Sequence, residues 1–437
     1  MRDRLRPRRE SWLRRATPAT SAALRLGTAV LAAGLALSTG LHEAAAKEEG
    51  GDREAAASVG RLASATVPPI GPHFVWVVDA VFLHAQLFDG DTGAMHATID
   101  SGTTISPKPP LYSARRGEFY SVEIDYDRGR RGKRTDFVTI YDDHTLDVKG
   151  DIVFPTRAGE SAASLAYTAL LDGERFLAVY NQFPLTSVSI IDLETRAFVA
   201  EVPTAGCAGI YPIGPRAWAM LCGSGTVHVF RLDESGQLAG DVASERFFDP
   251  IEDPAMLAAG RIGDTWHFPT FSGQLHAVDF SGETPSVETW SMVDAADRKA
   301  GWLPGGRQLM AANAPTGRLY VLFHQGGPGS HKDPGPELWI FDAAARERVA
   351  RVELPNFTAA FLVDMMEIGP DGFVPWLLET LIPRDGADTV TVSKDAKPVV
   401  FVRHGERGAV AILDGLTGEH LRNLSQVGLG GMRLEVP

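Results

Sequence analysis

Cysteine is nearly absent from this chain of 437 residues. Only Cys207 and Cys222 occur, and no C-x-x-C pair exists for redox or zinc chemistry. The usual catalytic signatures are missing as well. There is no G-x-S-x-G, no H-E-x-x-H and no complete phosphate-binding loop. The twelve histidines include no pair at i,i+2 or i,i+4, so no metal site is expected. After Leu37 no apolar run is long enough to cross a bilayer, and no long amphipathic helix stands out. Positive charge is scarce too, at 42 Lys and Arg against 55 Asp and Glu. A surface of that sign repels nucleic acid and anionic lipid, which excludes both as expected partners.

What is abundant is turn chemistry, with 45 glycines and 28 prolines. Seven short apolar runs end in an aspartate and then turn: Asp89, Asp142, Asp192, Asp233, Asp279, Asp342 and Asp414. The clearest copies are Asp89-Gly90-Asp91-Thr92-Gly93 and Asp414-Gly415-Leu416-Thr417-Gly418. An aspartate after a strand accepts from the backbone two residues on, and glycine supplies positive φ, so each copy reads as a hairpin. Successive aspartates lie 53, 50, 41, 46, 63 and 72 residues apart. A hairpin recurring near the length of a four-stranded unit predicts an all-β fold, a seven-bladed β-propeller over residues 69–437.

Residues 1–46 read as an export signal outside the fold. Seven arginines precede residue 16, an apolar stretch follows from Leu26 to Leu37, and Ala44-Ala45-Ala46 offers a cleavage site. Arg8-Arg9 weakly resembles a twin-arginine signal; the other reading is an uncleaved anchor. Cleavage after Ala46 leaves 34 basic against 52 acidic residues, a balance of −18. Residues 47–68 are polar and rich in Ala and Glu, and read as a flexible tail. Cys207 and Cys222 lie symmetrically about Gly214-Pro215. Residues equidistant from a hairpin turn face each other, so in an oxidising compartment a disulfide is expected; two buried thiols are the alternative. His267 and His276 fall in strand-like runs and read as hydrogen-bonded core residues. The cluster Arg128, Arg130, Arg131, Lys133 and Arg134 reads as a hairpin tip, either a solvated loop or a dock for an acidic partner. Gly326-Gly327-Pro328-Gly329-Ser330-His331-Lys332 resembles a phosphate cradle only superficially, because no strand-then-helix context surrounds it.

Several segments in order carry a family likeness. They are Arg134-Thr135-Asp136-Phe137-Val138 with Tyr141-Asp142, the hairpin Cys207–Cys222, the run from Phe268 to His276, Gly301-Trp302-Leu303-Pro304-Gly305-Gly306, Gly329-Ser330-His331-Lys332, Glu337 to Asp342, and Arg348 to Val352. Over residues 70–437 the chain resembles the heavy subunit of bacterial quinoprotein amine dehydrogenases, and the last run is more similar to the aromatic-amine branch than to the methylamine branch. The resemblance implies an exported seven-bladed propeller with one disulfide hairpin, carrying no cofactor, no metal and no catalytic residue of its own. It implies a small cysteine-rich light subunit that holds tryptophan tryptophylquinone and oxidises a primary amine. It further implies two heavy and two light subunits, and electron transport to a blue copper protein in the periplasm. A channel-lining phenylalanine of the family has its nearest counterpart in Phe82. Residues 357–386 form an apolar insertion that the family pattern lacks for the most part. Two alternatives differ in class: a propeller acting as a scaffold or binding module without a light subunit, and a hydrolase whose acids or histidines converge on the axis.

Overall fold

Strands of four to nine residues dominate, and antiparallel neighbours join them four at a time. The computed structural model describes residues 66–100, 108–129, 131–155, 157–159, 164–366, 368–369, 372–405, 409–425, 427–428 and 430–437. The export signal, most of the tail, and Arg130 of the basic cluster lie outside these residues.

Seven antiparallel sheets form the seven blades of a β-propeller. Blade 1 pairs Phe74–Asp79, His84–Asp89 and Met95–Asp100, and its innermost strand is Gly431–Glu435 from the far end of the chain. The C-terminal strand therefore closes the ring against the first N-terminal strand, a pairing that no local pattern announces. Blade 2 runs from Leu111 to Phe154, blade 3 from Arg157 to Pro203 and blade 4 from Cys207 to Ala243. Blade 5 spans Gly260–Ser291, blade 6 Trp302–Glu353 and blade 7 Thr389–Ser425. In blades 3 and 6 the inner position is shared by two short strands, both paired to the second strand. The core lies between neighbouring blades, where Trp76, Trp218 and Trp339 are fully buried. Val67, placed by sequence in the flexible tail, is also buried; its N–H donates to the His144 carbonyl and its own carbonyl bonds the His144 imidazole Nδ1.

All seven aspartates stand at one position, the turn between the third and fourth strands of a blade. Asp142 accepts from the N–H groups of His144 and Thr145, both at 3.0 Å. Asp192 does the same with Glu194 (2.8 Å) and Thr195 (3.1 Å), and Asp414 with Leu416 (2.9 Å) and Thr417 (2.8 Å). Asp89, Asp233, Asp279 and Asp342 repeat the bond to the residue two positions on. These bonds favour the ionised carboxylate. At Asp89, Asp192 and Asp414 burial opposes ionisation, yet the bonds win and hold the carboxyl below its ordinary range. The Thr145 N–H leads at Asp142, and the hydroxyls of Ser235 and Ser281 lead at Asp233 and Asp279, in the same direction.

The cysteines pair across the first two strands of blade 4, directly opposite in register, and form the disulfide. The turn closes from Ile213 N–H to the Ala217 carbonyl, so it is centred on Pro215 rather than on the Gly214-Pro215 bond. A bulge between Ala208 and Tyr211 absorbs the extra residue and brings the sulfurs into line. Gly209 makes that bulge possible: its φ is +80°, and a Cβ there would meet the Tyr211 ring at 2.7 Å.

The long last interval is helical, which its sequence did not announce. Phe357–Met365 and Phe373–Leu381 form two short helices between blades 6 and 7. Phe357, Ala359 and Leu378 are buried. Asn356 donates to the Ile382 carbonyl (2.7 Å), and Asp385 accepts from Phe357 N–H (3.0 Å), so the two ends of the insertion are tied together.

Candidate partner-binding rim and axial channel

Strand direction alternates within each blade, so the connections sort into two ends. Turns from first to second and from third to fourth strands emerge at one end, which carries the seven aspartates. Turns from second to third strands, and the links from one blade to the next, emerge at the opposite rim. Phe82, the basic cluster, the loop 326–336, the disulfide and the helical insertion all belong to connections of that opposite rim.

The two ends differ in what they leave exposed. Nineteen large apolar side chains are exposed among the described residues. Twelve lie in connections of the opposite rim: Val81, Phe82, Phe183, Leu185, Ile251, Met365, Met366, Ile368, Phe373, Val374, Trp376 and Leu381. Six more are on outermost strands, and Leu416 alone is in an aspartate turn. Trp376 is 58 % exposed and packs beside Phe373, with ring centroids 5.7 Å apart. The insertion therefore anchors itself through Phe357 and Leu378 but leaves Trp376 uncovered by the last blades. Phe373 and Trp376 thus form an exposed aromatic pair on the insertion.

Phe82 sits in the four-residue turn after Asp79, whose carboxylate accepts from Val81 N–H (2.7 Å) and Phe82 N–H (3.0 Å). Its ring is 60 % exposed and stacks 6.0 Å from His84. The core strand ends at Asp79, so Phe82 is not a core residue. Within the basic cluster, Arg128, Arg131 and Lys133 are exposed, whereas Arg134 is not a solvated residue. It grips Asp136 through two bonds of 2.6 Å and donates to the Ala158 carbonyl at 2.9 Å. His267 and His276 are buried, bonded to the Gly260 carbonyl (3.3 Å) and the Thr289 hydroxyl (2.7 Å), and burial lowers both pKa values. His228 lies near the two cysteines, but their sulfurs are bonded to each other and the imidazole holds Asp241 at 2.6 Å.

The inner strands of blades 1 and 3–7 surround an axial cavity of about 1080 Å³. Its wall includes Tyr167, Trp266, Phe271, Gln308, His331 and Arg433. His331, from the glycine-rich loop, stacks on Phe271 at 3.9 Å, so this loop edges the channel mouth rather than cradling a phosphate. The carboxylate on the wall, Glu435, ends its strand toward the aspartate-turn end, while His331 is at the opposite rim. Glu435 and His331 therefore lie at opposite ends of the channel wall.

Comparison with known proteins decides the family. The family model described as methylamine dehydrogenase heavy chain matches residues 71–366. This chain belongs to the methylamine dehydrogenase heavy chain family. The heavy chain of Methylorubrum extorquens is 28 % identical over 377 residues, covering 83 % of this chain and 82 % of that protein. The heavy chain of Paracoccus versutus is 27 % identical, covering 79 % and 74 %. Among solved structures, dihydro-heme d1 dehydrogenase NirN in complex with DHE superposes with a TM-score of 0.50 at 16 % identity, over 85 % of this chain and 77 % of that one. That likeness concerns the fold alone. The family match ends at Met366, inside the helical insertion. Membership makes this chain an amine dehydrogenase heavy subunit and implies a light-chain partner.

Proposed function

We propose that this chain is the non-catalytic heavy subunit of a periplasmic amine dehydrogenase, and that its light subunit seats on the rim opposite the aspartate turns. The observation that carries the reading is the segregation of exposed apolar residues to connections of that one rim in a chain of this family. The light subunit supplies tryptophan tryptophylquinone, which takes two electrons and the amino group from a primary amine and passes the electrons on to a blue copper protein. Two heavy and two light subunits assemble. Three tryptophans of this chain are enclosed in the blades. Trp76 and Trp218 are buried in the blades, and Trp339 is buried between Phe323 and the guanidiniums of Arg348 and Arg351. Phe82, exposed at the same rim, is proposed to face the partner and to line the substrate's entry.

Purification with and without a co-expressed light chain tests this. The heavy chain alone is expected to show no quinone absorbance and no amine-dependent dye reduction, and both appear with the assembled complex. Dye reduction by the isolated chain would overturn the division of labour. Purification from the native host without any small cysteine-rich chain would instead favour a stand-alone scaffold.

A further inference from the structure

Blade 4 gathers more than a disulfide at its rim. Cys207 and Cys222, the only cysteines of the chain, face each other across its first two strands. On the third strand His228 stands opposite Met220, two residues before Cys222. Side chains two apart on a strand share a face of the sheet, so the imidazole and the sulfurs lie on one face. The two sulfurs and one imidazole nitrogen all lie within 4.8 Å of one another. Donors around one metal, at bonds of about 2.0–2.3 Å, stand roughly 4 Å apart. Side-chain rotation therefore suffices to enclose an ion once the sulfur–sulfur bond is cleaved. Asp241, on the outermost strand, holds the His228 Nε2 at 2.6 Å, and Nδ1 makes no hydrogen bond among the described residues. A carboxylate on one imidazole nitrogen is the arrangement behind metal-bound histidines, because it fixes the ring and raises the basicity of the other nitrogen. Cys207, Trp218, Met220, Cys222 and Phe230 belong to one buried apolar cluster, and His228, 29 % exposed at its side chain, meets solvent beside them. Bonded to each other, the sulfurs offer no thiolate.

We propose that Cys207, Cys222 and His228 form a redox-gated site for copper(I), open only when the disulfide is reduced. A dithiol supplies the two electrons and two protons. The sulfur–sulfur bond breaks, two thiols form on the chain, and the dithiol closes to its own disulfide. Copper(I) then takes both sulfurs as thiolates, displacing their two protons, and the imidazole as third ligand. Thiolates select soft ions, and three donors suit copper(I), whereas zinc(II) calls for four. Every group involved belongs to blade 4, so the inference goes beyond the light-subunit reading and does not rest on it.

The test starts from the full chain reduced with dithiothreitol, which is then removed under argon. Both thiols should be titratable while circular dichroism still shows the folded chain. Copper(I) buffered by bathocuproine disulfonate should then be retained at one ion per reduced chain, and X-ray absorption should show two sulfurs and one nitrogen around it. The oxidised chain, titrated in parallel, should lack this ion. His228→Ala should weaken retention, and Asp241→Asn should weaken it roughly ten- to hundredfold, as removal of the carboxylate behind a ligating histidine does. Asp241 is 47 % exposed at its side chain, so its variant keeps the test intact if His228→Ala does not fold. Arg246→Gln, an exposed arginine paired with Asp249, serves as control. Failure to obtain both thiols in the folded chain, absence of one-to-one binding after reduction, equal retention by the oxidised chain, or equal affinity in Asp241→Asn and Arg246→Gln would overturn the proposal.

Discussion

The two ends of the propeller are built from the same number of blades but by different chemistry. At the aspartate-turn end each connection is short and satisfies itself, because a carboxylate takes the N–H groups of the next two or three residues. At the opposite rim the connections range from short turns to the helical insertion, and several leave apolar side chains, among them Phe82, Phe183, Leu185, Phe373 and Trp376, in water. The first end satisfies its own turns, whereas the second leaves large apolar side chains uncovered. The turn signal and the exposed apolar side chains are therefore separated by the height of a blade.

Breaking the disulfide should have the largest effect on stability. It joins the first two strands of blade 4 at the partner rim. In the chain-entropy model, a loop of this size contributes about 3 kcal/mol. Cys222→Ser, or reduction, should lower the denaturation midpoint accordingly in urea titrations of the mature chain.

The rim can be altered without altering the fold. Phe373 and Trp376 are 70 % and 58 % exposed, so replacing both by serine should leave melting unchanged. If they anchor the light subunit, assembly should weaken by about thirtyfold or more, the effect of a hot-spot residue, in sedimentation or native mass spectrometry. Unchanged assembly would limit the docking surface to the shorter rim turns.

The reverse pattern is expected at the other end. Asp192→Ala removes the acceptor for two N–H groups and the partner of Arg175. It should cost roughly 1–3 kcal/mol in urea unfolding while light-subunit binding stays the same. The turn aspartates also set a pH dependence. At Asp89, Asp142, Asp192, Asp233, Asp279 and Asp414 the folded pKa is depressed, so their contribution is complete above the ordinary carboxyl value of 3.8 and is lost as pH falls below it through the folded values. Urea midpoints of the wild-type chain should hold from pH 7 to about pH 5 and drop toward pH 3, with a smaller drop in Asp192→Ala.

The smallest effect on stability is expected at Phe82. An exposed side chain away from a cap or cavity moves stability by about 0.5 kcal/mol or less on truncation. Phe82→Ala should instead change kcat/KM of the assembled enzyme, more for bulky amines than for small ones. Identical selectivity would remove Phe82 from the substrate's path.

How much of this was legible in the sequence depends on the range of the interaction involved. The blade count was readable because each aspartate acts on its own next few residues, a local event that repeats. The disulfide was readable from symmetry, but the symmetry held only because the bulge at Gly209 offset a turn centred one half-residue away. His267 and His276 were readable as core residues from their strand context. Arg134 was misread as part of a solvated tip, since its partner Ala158 becomes a neighbour only when blade 2 meets blade 3. The insertion was recognisable by length and apolarity, but its helical form was not.

The sequence alone determined the seven hairpins, the cysteine pairing and the family, because short-range hydrogen bonding and residue order carry them. Tertiary structure decided the rest. It brought Gly431–Glu435 back to the first blade across the whole chain, gathered exposed apolar side chains into connections of one rim, and set Arg307 against Asp388. Those juxtapositions join residues far apart in the sequence, and no local preference encodes them; they exist only once the ring has closed.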